Sequence, residues 1–295
     1  MVASRRLSDL CFDAVVYFIC TIAVVVTLYP FVYVLSVSIS DPAEFFKGRV
    51  WIVPAGFSLS SYKIVLDNPG VWRSYYNTVW YVVVGTSVNM ALTILGAYPL
   101  SRKNLLGRNF IVIMMVMTVY VSGGLVPFYR LVRLLGLFNT RWALVFPTAV
   151  SFVYIIILRT FFARLPDELE DAAVIDGAGA TTVLVRIVLP LSKAALAAIT
   201  LFYAVAHWQA FFNAILFITK QELQPLQVYL RRVLIMNDPA LIDSVDEWLR
   251  HQNVSAVYEQ LKYSMIIVSI LPIICLYPFL QRYLVKGVMI GALKS

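Results

Sequence analysis

The chain has 295 residues, of which 61% are hydrophobic and only 14% are charged, and its mean hydropathy is +0.81. Soluble domains carry roughly a quarter charged residues, so this composition excludes an ordinary water-soluble fold. The net charge of +8 is scattered over every loop. Without a basic patch, nucleic acid is not an expected partner, and the positive charge is better explained by anchoring to membrane lipid headgroups.

Six apolar stretches are candidates for membrane-spanning helices. A helix rises 1.5 Å per residue and needs about 20 residues to cross a bilayer. The predicted spans are 14–39, 76–100, 109–129, 142–159, 194–218 and 263–282. The fourth span is short, and we expect Arg141 and Arg159 to extend outward and lengthen it. The sequence therefore predicts an all-α integral membrane protein, with residues 1–295 forming one membrane domain.

The total number of Lys and Arg residues does not orient the chain in the membrane, but their density in the loops does. Lys and Arg are divided evenly, with twelve on each predicted side of the membrane. Arg102, Lys103 and Arg108 crowd one short loop, whereas the loops on the other side are longer. The positive-inside rule then favours cytoplasmic N- and C-termini.

The predicted spans contain none of the groups that ion-driven transport requires. Apart from Arg159 and Arg282, the last residues of two spans, they hold no Asp, Glu, Lys or Arg, and His207 is their one histidine. A phosphate-binding G-x-x-x-x-G-K-[ST] loop is also missing from the sequence. A self-contained carrier or channel remains the alternative, although it normally needs intramembrane charges. An intramembrane enzyme is disfavoured because His207 has no acidic or histidine neighbour in its helix, so we assign no catalytic residue.

The three cysteines carry no signal of a metal site. Cys11, Cys20 and Cys275 lie in or beside predicted spans and lack the spacing of zinc ligands. We expect neither a disulfide framework nor a bound metal.

The loop 160–193 between the fourth and fifth predicted spans has the pattern of a short amphipathic helix. Pro166 suits the first position of a helix, and acidic residues follow it, near the positive end of the helix dipole. Leu165, Leu169, Ala172 and Ala173 form an apolar stripe. Gly177 and Gly179 are expected to end this helix.

The same loop carries a motif that resembles the EAA loop of ABC-importer permeases. The matching residues are Asp171, Ala172, Ala173, Asp176, Gly177, Ile187, Leu189 and Pro190. The resemblance implies a coupling helix that seats on a cytoplasmic ATPase subunit. Asp171 stands where the family has glutamate, and Glu170 beside it is the alternative contact. We expect Asp171 to make an ionic contact with the ATPase and Gly177 to break the helix.

The resemblance covers most of the chain and implies the type I ABC importer transmembrane-domain fold. The order of the six spans is similar to that of the smaller permease in the maltose importer. The end of the chain, with Gly291 and Lys294, resembles that family's cytoplasmic tail, which reaches toward the ATPase. Residues 123–129 and 135–143 are similar to the oligosaccharide and polysaccharide branch, which includes an alginate importer. A carbohydrate substrate is therefore implied, with acidic polysaccharide fragments one alternative within that class.

The resemblance also implies the partners and the location. They are a second homologous permease, two ATPase subunits that bind ATP and Mg, and an extracytoplasmic solute-binding protein. The chain itself would bind no cofactor and would lie in the bacterial cytoplasmic (inner) membrane. The outer loop 220–262, with Ser244 and Glu247 as a capping box, is expected to help dock the binding protein.

Polar residues inside two predicted spans are candidates for a translocation path. They are His207, Trp208, Gln209 and Asn213 in the fifth span, and Asn89 and Thr93 in the second. Polar side chains in a membrane helix face either a cavity or another helix, so hydrogen bonding between helices explains them equally well. In the maltose importer the substrate contacts fall mainly on the other permease.

Overall fold

The computed structural model describes residues 7–121, 123–235 and 257–275, and these ranges are mostly helical. The helices are α1 Leu7–Ser38, α2 Pro42–Phe46, α3 Ser60–Asp67, α4 Pro69–Ser101, α5 Arg108–Tyr120, α6 Leu125–Leu134, α7 Phe152–Phe162, α8 Asp167–Ile175, α9 Ala180–Val183, α10 Leu189–Leu191, α11 Lys193–Trp208, α12 Phe212–Phe217, α13 Leu226–Ile235 and α14 Val257–Cys275. A π-helical turn, Leu184–Val188, joins α9 to α10. In these ranges, the pairing of Ser40 with Phe57 is an isolated β-bridge.

Three helices of the described ranges are long and apolar enough to cross a membrane unaided. They are α1 from Cys11 onward, α4 and α14. Three further candidates are bent pairs of shorter helical segments, which bring the number of candidate spans to as many as six. Helix α4 is longer than the predicted span 76–100, because it begins at Pro69 and ends at Ser101.

The bent pairs differ from the continuous helices that we expected. In place of one helix over 142–159, two 3₁₀ turns, Arg141–Leu144 and Phe146–Thr148, meet α7 at 54°. Pro147 lies in the second turn, where it lacks a backbone donor and disfavours the α conformation of the preceding residue. The α5–α6 pair is bent by 114°, and Gly124 precedes α6 with a φ of 80°.

The predicted fifth span is also interrupted. Helix α11 ends at Trp208 and α12 begins at Phe212, so residues 209–211 form a break inside the predicted span 194–218. The segment Ala180–Leu191 meets α11 at an angle of 84°.

The contacts within the chain divide it into two compact units. The first unit comprises Met1–Val71 and Leu230–Pro272, and the second comprises Trp72–Tyr229 and Ile273–Ser295. In the first unit, the fully buried side chain of Gln260 joins three elements. Its amide donates to the carbonyl oxygens of Val37, at 2.9 Å, and Ser40, and its Oε1 accepts from Ser61 at 2.6 Å.

The second unit has two hydrophobic cores, and α4 contributes to both. The first core gathers side chains from α4, α7, the Ala180–Leu191 segment and α11, among them Ala97, Leu158, Phe162, Val188 and Ile199. The second core includes Tyr81, Val132, Leu144, Phe217 and Val228. Between Tyr81 and Ala97, α4 passes a polar region that belongs to neither core.

Candidate functional site

A cavity of about 390 Å³ occupies this polar region of the second unit. Its walls come from α4, the turn before α7, α7 itself, the end of α11 and α12. The polar residues that line it are Asn89, Thr148, Ser151, Tyr154, Tyr203, His207, Gln209 and Asn213. Four of the six residues that we predicted for a translocation path, Asn89, His207, Gln209 and Asn213, are therefore brought together here.

Asn89 holds one wall of the cavity in place. It is 1% exposed, and its amide donates to the carbonyl oxygen of Thr148 at 2.7 Å. Its Oδ1 lies 2.8 Å from Nε2 of His207, so the histidine donates through that nitrogen. These two bonds tie α4 to the turn before α7 and to α11, which satisfies two polar groups that would be costly to bury alone.

Thr93 contributes to the same region without lining the cavity. Its hydroxyl is fully buried and lies 2.8 Å from the hydroxyl of Tyr203. The ring of Tyr203 packs edge-on against Tyr154, with ring centroids 4.8 Å apart. Sequence reasoning missed both tyrosines, because tyrosine is common in apolar segments and neither has a distinctive local pattern.

The break at residues 209–211 opens onto the cavity. Gln209, the first residue of the break, is exposed, Asn213 in α12 is half-buried, and both residues line the cavity. Non-helical backbone at membrane depth is tolerated where it is buried in protein or lines a water-filled space, because its polar groups need partners. Interrupted helices also line the substrate sites of several transporter folds.

Trp208 does not face the cavity. It is 7% exposed, and its ring packs edge-on against Tyr75 with centroids 6.3 Å apart. Successive residues of a helix point about 100° apart, so Trp208 cannot share the direction of His207. Trp208, one of the candidates for the translocation path, is therefore not part of the lining of this cavity.

The predicted coupling helix is α8, and its end is a well-defined glycine cap. Gly177 has a φ of 81°, which favours glycine. The Gly177 amide donates to Val174 at 3.0 Å, and the Ala178 amide donates to Ala173 at 2.8 Å. This is the pattern of a Schellman motif, in which two late carbonyls of the helix are satisfied.

Most of the surface of α8 is exposed. Glu170 and Ala173 are half-buried, and Ala173 packs against the first core. The expected stripe through Leu169 and Ala172 is not turned inward, since both residues are exposed, as is Ile175 at 85%. Asp171 is exposed on the same outer surface.

Two basic residues that we had counted only for orientation contact α8. Arg102 pairs with Glu170, and Lys103 lies 3.1 Å from Asp167. Arg159, which we expected to extend outward, instead donates through Nε to the carbonyl oxygen of Leu100 at 3.0 Å.

Arg141 and Pro190 are two further predicted residues that lie within the described chain. Arg141, expected to extend outward, donates to Oδ1 of Asn77 at 3.0 Å. Pro190 lies in α10, just before the turn into α11. Gly291 and Lys294, together with the capping box of Ser244 and Glu247, lie outside the described residues.

A sequence profile of the family "Binding-protein-dependent transport system inner membrane component" matches residues 89–290, more than half of the chain. This chain belongs to that family. The permease is therefore an inner membrane component of a transport system that works with a binding protein, and the alternative of a self-contained carrier has no support.

Two curated relatives match the permease over nearly its whole length. Protein LplC of Bacillus subtilis (strain 168) is 38% identical over 92% of this chain and 90% of its own. The polygalacturonan/rhamnogalacturonan transport system permease protein YtcP, from the same organism, is 34% identical over 96% of this chain and 98% of its own.

A solved structure agrees with the fold. The permease matches a chain in the crystal structure of a bacterial ABC transporter involved in the import of the acidic polysaccharide alginate. The TM-score is 0.89 and the sequence identity 32%, over 96% of this chain and 99% of that one. The predicted class, an all-α membrane protein with the type I ABC importer transmembrane-domain fold, is confirmed.

Proposed function

We propose that the permease is one transmembrane subunit of an ATP-driven importer for oligosaccharides, and that its substrates are fragments of acidic polysaccharides. Two of its relatives support this substrate class, since one is named for polygalacturonan and rhamnogalacturonan transport and the other imports alginate. The complete importer contains a second permease, two ATPase subunits that bind ATP and Mg, and an extracytoplasmic binding protein.

The observation that carries the proposal is the exposure of α8. A nine-residue helix contributes little stability when so much of its surface is in water, and isolated helices of this length are marginal. Leu169, Ala172 and Ile175 form an apolar strip on the exposed side, and Asp171 lies beside it. An uncovered strip of this kind marks a docking surface, and in the proposed importer the ATPase subunit covers it.

The surroundings of the two carboxylates distinguish them as ATPase contacts. Glu170 is half-buried and already paired with Arg102, whereas Asp171 is exposed. Asp171 is therefore the carboxylate that we assign to the ATPase, and Glu170 is the one that holds α8 to the rest of the permease.

The chemistry of the cavity fits a polyhydroxylated substrate. The amides of Gln209 and Asn213 and the hydroxyl of Tyr154 line it as hydrogen-bond donors and acceptors. Among the residues that the structure describes, none of those lining it is Lys or Arg. In this wall of the path, sugar carboxylates would accept hydrogen bonds from neutral donors, which allows passage without trapping the substrate in a strong ion pair.

The test is ATP hydrolysis and sugar uptake by the complete importer in proteoliposomes. We expect an oligogalacturonate, delivered by the binding protein, to stimulate hydrolysis more than a neutral oligosaccharide of the same length. Asp171→Ala should lower both stimulated hydrolysis and uptake by about tenfold, because loss of one charged contact across an interface commonly costs more than 1 kcal/mol.

Glu168→Ala is the matched control, since Glu168 is also an exposed acid on α8. We expect it to retain at least half of the uptake. Sugar uptake by the permease without an ATPase would refute the proposal, as would hydrolysis that no saccharide stimulates. Equal losses in the Asp171 and Glu168 variants would refute the specific role of Asp171.

A further inference from the structure

A partly buried ion pair connects the C-terminal end of α4 to the coupling helix. The guanidinium of Arg102 contacts the carboxylate of Glu170, and the two side chains are 23% and 19% exposed. The same guanidinium lies over the ring of Tyr98, 4.7 Å from its centroid. Burial raises the pKa of Glu170, and Arg102 opposes that rise. Each of the two charges therefore needs the other, because either side chain alone would be poorly solvated at this position.

A second ion pair joins the same two elements, but it is open to solvent. Lys103 and Asp167 are 3.1 Å apart, with side chains 81% and 67% exposed. Exposed pairs of this kind contribute little, because water and salt screen the two charges. Of the two ion pairs, Arg102–Glu170 is therefore the one that can hold α8 to the end of α4.

Helix α4 links this ion pair to the cavity. Asn89 and Arg102 are separated by about 20 Å along the helix axis, at 1.5 Å per residue. Arg102 follows directly after the last residue of α4, and Asn89 is bonded to both Thr148 and His207 in the cavity wall. A displacement of the α4 end is therefore transmitted along one continuous helix to the hydrogen bonds of Asn89.

The chain offers a competing route. Helix α8 is covalently joined to α7 through residues 163–166 and to α9 through residues 176–179. If movement passed only through these connections, α4 would not need to follow α8, and the ion pair would be unnecessary for transport.

We propose that the Arg102–Glu170 pair is the joint through which α4 follows the coupling helix, and that transport depends on this joint. Arg102 and Glu170 are positioning residues, because they act through α4 and not on the substrate. The inference rests on the proposed function, in which a partner ATPase moves α8.

The test is a charge exchange in the reconstituted importer. We expect Arg102→Glu and Glu170→Arg each to reduce uptake per ATP hydrolysed by about tenfold, which is the size of a typical coupling between sites. The double exchange should recover at least half of the wild-type ratio. Lys103→Glu, which breaks the exposed pair, is the control and should stay within about twofold of wild type. The amount of ATPase subunit that copurifies is measured for every variant.

A cross-link provides a test that does not depend on the stability of charge variants. Cysteines at positions 102 and 170, in a variant whose three native cysteines are serine, are joined by a short flexible bismaleimide. Because α4 and α8 move together in the proposal, the cross-linked importer should keep at least half of its uptake.

Several results would overturn the inference. They are wild-type uptake by Arg102→Glu, failure of the double exchange to restore uptake, a parallel loss of bound ATPase, and arrest of transport by the cross-link. If the wild-type complex showed no saccharide-stimulated hydrolysis, the proposed function would fail and the inference with it. Normal stimulation in the wild type, with any of the earlier results, would overturn the inference alone.

Discussion

Gly85 lies on α4 directly beside the ring of His207. A methyl group at this position would come within 2.5 Å of Cε1 and Nε2 of the histidine ring. The ring therefore rests on the bare backbone of α4 and cannot move toward it. Its hydrogen bond with Asn89 follows from this contact, because the glycine leaves space for the imidazole one turn away from the asparagine.

Gly85→Ala tests this arrangement. The added methyl group should displace the ring and break its bond with Asn89, lowering the free energy of unfolding by about 1–3 kcal/mol. Thermal unfolding of the purified permease complex measures the loss. In a His207→Ala background the same substitution should be neutral or stabilising, since alanine is the better helix former. An equal loss in both backgrounds would contradict the steric explanation.

The two glycines that follow α8 have different conformations, although the sequence presents them as a similar pair. Gly177 has a φ of 81°, whereas Gly179 has a φ of −75° and precedes α9. Neither has a heavy atom near its missing Cβ, so backbone conformation alone distinguishes them.

We expect Gly177→Ser to lower saccharide-stimulated ATP hydrolysis by roughly fivefold, because a left-handed conformation costs a non-glycine residue about 1 kcal/mol. Gly179→Ser should have little effect, since serine is a good residue at the start of a helix. Gly177→Asn should retain more activity than Gly177→Ser, because asparagine tolerates this conformation. Similar losses at both positions would show that the cap of α8 is not what matters.

The contrast between α8 and α11 shows what the sequence could and could not predict. The end of α8 was predictable because glycine marks it locally. The end of α11 after Trp208 was not, since residues 209–211 contain neither glycine nor proline and the break is set by packing.

The cavity likewise combines residues that the sequence makes conspicuous with contacts that only the fold creates. Asn89 and His207 stood out as polar residues in apolar spans, and the cavity brings them together. Thr148 takes part through its backbone carbonyl, which any residue could supply. The partner of Glu170 was also hidden, because the two residues are far apart in sequence and no local pattern joins Arg102 to α8.

The chain as a whole must have one orientation in the membrane, which its charges specify only weakly. Two exposed residues test it: Leu106, in the turn between α4 and α5, is 92% exposed, and Phe57, before α3, is 75% exposed. Cys11, Cys20 and Cys275 are free and exposed, so they must first be replaced by serine.

We expect a single cysteine at position 57 to react with a membrane-impermeant maleimide in cells whose outer envelope has been permeabilised and whose cytoplasmic membrane is intact. A single cysteine at position 106 should react only after the cytoplasmic membrane is permeabilised, because the positive charges around it favour the cytoplasm. The opposite labelling pattern would contradict cytoplasmic termini and would place α8 on the wrong side for an ATPase.

The exposure of α8 also bears on how this permease evolves and can be engineered. Its attachment to the rest of the second unit depends on few side chains, chiefly Glu170 and Ala173, so the residues on its outer surface are not constrained by folding. Those positions can change together with the protein that covers them. If an ATPase subunit covers them, as we propose, exchanging only the outer residues of α8 is a way to redirect the permease to a different ATPase subunit while its cavity stays intact.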